Sequence, residues 1–102
     1  MRCELAVRQD RVAAARRACE AAIARAPGTS WAQYLLGVLR LRGTGAADTR
    51  AGIAHLRAAV DADPELAQAW RALAKALARA GDAAALDALR VEYQARFGRA
   101  LP

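Results

Sequence analysis

The chain has 102 residues and a net charge of +6, and 30 of its residues are alanine while only ten are β-branched. Alanine loses no side-chain entropy in a helix and β-branched residues favour strands, so this composition excludes a strand-rich fold and points to a single all-α domain over residues 1–102. No run approaches the ~18 apolar residues of a membrane span, and Met1-Arg2-Cys3-Glu4 leads into helical pattern rather than a signal region. The sequence therefore reads as a cytoplasmic chain with no membrane partner.

Start and stop signals divide the chain in order. A short first helix is expected over 2–8, and Asp10 caps a second over 11–26 that ends at Pro27-Gly28. Ser30 caps a third over 31–42, with Ser30-Trp31-Ala32-Gln33 spaced as a capping box, and Gly43 ends it. Asp48 caps a fourth over 49–62. Asp63 caps a fifth over 64–80, with Pro64 at the first helical position, where its missing N–H costs nothing. Gly81 stops that helix, Asp82 caps a sixth over 83–97, and Gly98 ends it. Every link is short except Gly43 to Asp48, so neighbouring helices should pack antiparallel, as hairpins near 2–27, 30–62 and 64–97.

A shift of 37 residues lays Pro27 on Pro64, Ala32 on Ala69, Leu36 on Leu73, Gly37 on Ala74, Cys19 on Leu56 and Ala22 on Ala59. Periods of this size mean stacked units. Small residues at Ala15, Ala22, Gly37, Gly52, Ala59 and Ala74 sit where the two helices of a hairpin could cross closely.

These positions carry a family resemblance. Trp70-x-x-Leu73-Ala74-x-x-Leu77-x-x-x-Gly81-Asp82 resembles the first helix and turn of a tetratricopeptide repeat, and Gly52-x-x-x-Leu56-x-x-Ala59-x-x-x-x-Pro64 its second helix and exit. The middle unit is similar to the related Sel-one-like repeat, through Ala32-Gln33-Tyr34-x-Leu36-Gly37, Gly43-x-Gly45 and Leu56-Arg57-Ala58-Ala59. The resemblance covers residues 10–82 and implies a right-handed α-solenoid of three antiparallel hairpins. Residues 83–97, with Leu86, Leu89, Tyr93 and Phe97 on one stripe, read as a terminal cap.

Nothing in the sequence resembles an active site. His55 is the only histidine and Ser30 the only serine, and His55 reads as a surface or flank residue beside Leu56. Gly43-Thr44-Gly45 lacks the Lys-Ser/Thr pair of a phosphate-binding loop and reads as a turn with positive φ. Cys3 and Cys19 are too few for a disulfide framework or a tetrahedral zinc site. Asp61, Asp63 and Glu65 read as helix-end compensation. No catalytic residue, metal site or cofactor is expected, and the chain is not read as an enzyme.

The resemblance implies that the first helix of each hairpin lines a concave groove that receives a partner. On the helix over 31–42, Trp31, Tyr34, Val38 and Leu41 share a face, and the aromatics are the best candidate anchors. On the next such helix Arg71, Lys75 and Arg79 follow one another at intervals of four and suit an acidic peptide or a C-terminal carboxylate. The expected function is a protein–protein interaction scaffold, or adaptor, that holds a peptide or helix against Trp31, Tyr34, Val38, Arg71, Lys75 and Arg79. A self-assembling, homo-oligomeric repeat unit is the alternative, with Tyr93 and Phe97 on a stackable end face. Nucleic-acid binding through Arg16, Arg17, Arg50 and Arg57 is a weaker third reading, because aromatics are not interleaved among them.

Overall fold

The computed structural model describes residues 17, 18, 20, 21, 24, 25, 29–43 and 45–101. All regular structure among them is α-helical: α1 (Ser30–Leu41), α2 (Ala46–Ala62), α3 (Ala67–Ala80) and α4 (Ala83–Phe97). The described residues among 17–25 are helical as well. The expected helix over 2–8, the Asp10 cap, the Pro27-Gly28 stop, Cys3 and Cys19 lie outside the described residues. Among the described residues no helix is long and apolar enough to cross a membrane.

Three helix ends follow the expected chemistry closely. Asp82 accepts a hydrogen bond from the Ala85 N–H at 3.1 Å, and Gly81 and Gly98 close α3 and α4 in the left-handed region, at φ 74° and 69°. Three others depart from it. The Ser30 cap is displaced: Thr29 occupies the N-cap position of α1 with no side-chain bond, and the Gln33 amide that would complete a capping box reaches across to His55 instead. α2 begins at Ala46 rather than after Asp48, and Asp48 pairs with Arg40 at 3.8 Å. α3 begins at Ala67, three residues later than Pro64 would allow. There Asp63 holds a tight turn by accepting from the Glu65 N–H, and the Pro64 carbonyl accepts the Trp70 indole N–H at 2.8 Å. A bond to an aromatic ring six residues along the chain thus engages the carbonyl at which the expected helix would have started.

The glycines of the α1–α2 link correct a second expectation. Among the described residues the positive-φ glycines are Gly81 and Gly98, whereas Gly45 sits at φ −81° as the N-cap of α2. Gly43 is required by space, because the Asp48 side chain occupies the place of its missing Cβ.

Paired residues give the helix directions. Gln33 meets His55 while Leu41 meets Gly52, so α1 and α2 run antiparallel. Trp70 meets Tyr93 and Phe97 while Leu77 lies with Ala85 and Leu89, so α3 and α4 are antiparallel too. Contact between α1 and α3 is sparse. The core runs through Leu56, Ala59 and Val60 of α2, Ala69, Trp70, Leu73, Ala76 and Leu77 of α3, and Leu89 and Tyr93 of α4. Burying these side chains is the main stabilising term, at about 1.5–3 kcal/mol for each large apolar one.

Candidate functional site

Because α1 and α3 lie side by side without packing closely, a cleft of about 350 Å³ opens between them. Its α1 wall is Tyr34, Val38 and Leu41, and its α3 wall is Gln68, Arg71, Ala72 and Lys75. Local sequence explains both walls. On α1 the residues Ala32, Leu35, Leu36 and Leu39 turn into the core, which leaves Tyr34, Val38 and Leu41 half-buried at helical spacing. On α3 the residues Ala69, Leu73, Ala76 and Leu77 are buried, and Arg71 and Lys75 stand exposed on the opposite ridge.

Four of the six expected groove residues, Tyr34, Val38, Arg71 and Lys75, meet in this one cleft. The other two are placed elsewhere. Trp31 stacks on Tyr34 with ring centroids 5.2 Å apart, behind the cleft rather than in its lining, and its indole N–H is enclosed without a partner among the described residues. Arg79 turns away from the ridge of Arg71 and Lys75. Its guanidinium donates to the Leu41 carbonyl and to the Gly43 carbonyl at 2.7 Å, so it ties the end of α1 to α3. A cation there satisfies carbonyls that have no partner at a helix C-terminus.

The charge of the cleft is one-sided. No Asp or Glu is among the described residues that line it, and the described acids Glu20, Asp48 and Asp61 are engaged with other cations. Arg40 lies 3.8 Å from both Glu20 and Asp48, and Arg57 lies 3.0 Å from Asp61. Gln68 and Ala72 are lining residues that a search for anchors and charges passes over. The signal for them was their spacing, since Gln68 and Ala72 flank Arg71 on the same side of the helix.

Two cross-helix ties outside the cleft also escape a reading by helix face. His55, expected at the surface or on the flank of the helix, is half-buried, and its Nδ1 lies 2.8 Å from Gln33 Oε1. Burial lowers its pKa from 6.5, Arg40 lowers it further, and Glu20 opposes them. Arg57, read in the sequence as one of four arginines that could meet nucleic acid, makes a two-pronged bond to Glu92, both contacts 2.8 Å. The Arg57 hydrogen bonds hold the Glu92 carboxyl below its usual range, against the opposing effect of burial. Two carboxylates, those of Asp61 and Glu92, thus share the Arg57 guanidinium. On α4, Tyr93 is 3% exposed and Phe97 is half-buried against Trp70 and Tyr93.

Among the described residues no group of three His, Cys, Asp or Glu side chains could hold a metal ion. No family model matches the sequence, and no curated protein matches it.

Proposed function

We propose that the chain is a tetratricopeptide-like interaction scaffold, a right-handed α-solenoid of three hairpins that holds a segment of a partner protein between α1 and α3. The 37-residue repeat supports the three-hairpin reading, and so do the two antiparallel pairs with their first helices, α1 and α3, set side by side. The observation that carries the functional reading is the cleft itself, with an apolar wall of Tyr34, Val38 and Leu41 facing Arg71 and Lys75. Aromatic anchors supply contact area at low entropic cost, and unpaired cations steer and orient an acidic partner.

The reading is tested by comparing what the tagged protein captures with what two variants capture. Arg71→Glu combined with Lys75→Glu abolishes capture of an acidic partner while helicity by circular dichroism stays unchanged. Arg79→Ala, which loosens the end of α1, leaves capture largely intact. Full capture by the double charge reversal would show that these cations are only a solvated helix face.

A further inference from the structure

Resting on that reading, we infer that the occupant of the cleft is an acidic amphipathic α-helix of the partner, with an aliphatic stripe on Tyr34, Val38 and Leu41 and two carboxylates one turn apart on Arg71 and Lys75. The register of the walls is the first reason. Tyr34 and Arg71 lie 37 residues apart, as do Val38 and Lys75, so equivalent positions of successive repeats face the cleft with opposite character. A body laid along the cleft meets aliphatic contact on one flank and positive charge on the other. That is the cross-section of an amphipathic helix with an acidic border.

Backbone accounting is the second reason. An extended segment brings about one N–H and one C=O per residue that need partners once water is displaced. The cleft offers only the side-chain polar groups of Tyr34, Gln68, Arg71 and Lys75, and no strand edge. A helix arrives with its backbone bonds already made. A volume of about 350 Å³ accepts a few side chains rather than a whole helix, so the occupant rests over the cleft with one stripe inserted.

Spacing sets the number of charges. Arg71 and Lys75 are one turn apart, about 6 Å along the axis, and the next cation, Arg79, is committed to the carbonyls of Leu41 and Gly43. The basic ridge therefore holds two carboxylates at i and i+4. With a net charge of +6, a second copy of this chain is repelled by the ridge rather than attracted to it.

The test is selection of random 16-residue peptides displayed on phage, panned on the folded chain, followed by synthesis of the enriched sequences. The expected winners carry Leu, Ile or Met at i, i+3 or i+4, and i+7, with an Asp/Glu pair four residues apart beside that stripe. They gain helicity on binding, fail when a central residue becomes proline, and bind Arg71→Glu with Lys75→Glu about tenfold or more weakly by fluorescence anisotropy. Winners with acids at alternate positions, which bind without gaining helicity and tolerate proline, would overturn the helix while leaving the scaffold reading in place. If no peptide is enriched, or binding ignores both Tyr34→Ala and the charge reversal, the scaffold reading itself falls.

Discussion

In the α1/α2 pair the helices meet glycine to glycine, with a Cβ on Gly37 or Gly52 coming within 3.1 Å of the other's carbonyl oxygen. In the α3/α4 pair Trp70, Tyr93 and Phe97 stand between the helices, with ring centroids 4.6 to 6.0 Å apart. The first joint is made by removing side chains, and α1 packs along more of α2 than α3 does of α4. The second is made by filling space with rings. Close backbone approach gives a joint with no room to adjust, whereas an aromatic joint holds the helices apart and leaves a second, smaller cleft of about 270 Å³ among α2, α3 and α4. The Arg57–Glu92 pair spans that opening and binds α4 back to α2.

The largest expected effect attacks the aromatic joint. Trp70 is 1% exposed and touches both Tyr93 and Phe97, so Trp70→Ala should cost about 3–5 kcal/mol in urea unfolding. A loss below about 1 kcal/mol would mean that the rings do not hold α4. The glycine joint is probed by Gly37→Ala, whose new Cβ would stand 2.7 Å from Leu56 Cγ and 3.1 Å from the Gly52 carbonyl oxygen. Overpacking of about 1–3 kcal/mol should outweigh the helix propensity gained, which is at most about 1 kcal/mol. The repeat-equivalent change in the other pair, Ala74→Gly, should cost about 1 kcal/mol through propensity. A stabilising Gly37→Ala would show that the crossing has slack.

The smallest effect separates the two joints by pH. For His55 the folded pKa lies below the ordinary 6.5, so the unfolded chain binds more protons. Stability linked to the α1/α2 pair is therefore lost as pH falls below 6.5. For Glu92 the folded pKa lies below the ordinary 4.5, and stability linked to α4 is lost only as pH falls below that value. Both groups are partly exposed, so each contributes on the order of 1 kcal/mol or less. Single-tryptophan variants read the joints apart: with Trp70→Phe, Trp31 reports on α1, and with Trp31→Phe, Trp70 reports on α4. The Trp31 signal should respond as pH falls below 6.5 and the Trp70 signal only as it falls below 4.5. Coincident responses would mean that the joints do not loosen separately.

His55 and Glu92 show where reading by sequence stopped. They lie 37 residues apart at equivalent repeat positions, yet His55 bonds within its own helix pair and Glu92 bonds to the pair before it. Periodicity places both beside a buried face, but it carries no information on which neighbour lies within 3 Å. The cleft divides along the same line. Tyr34, Val38, Arg71 and Lys75 were legible because helical spacing alone puts them on common ridges. The diversion of Arg79 to the Leu41 and Gly43 carbonyls was not, because it depends on where the end of α1 comes to rest.

Sequence alone determined the helical class, the extents of α1 and α4 to within about a residue, the glycine stops at Gly81 and Gly98, and the positions where α1 and α2 cross. These follow from propensity, capping chemistry and period, which act within a few residues along the chain. Tertiary structure alone decided that α3 starts at Ala67, that Gly43 yields space to Asp48, and that Arg57, His55 and Arg79 become ties between helices. Each of those outcomes turns on a hydrogen bond or a contact between residues five or more positions apart, and propensity, capping and period carry no information on which such residues meet.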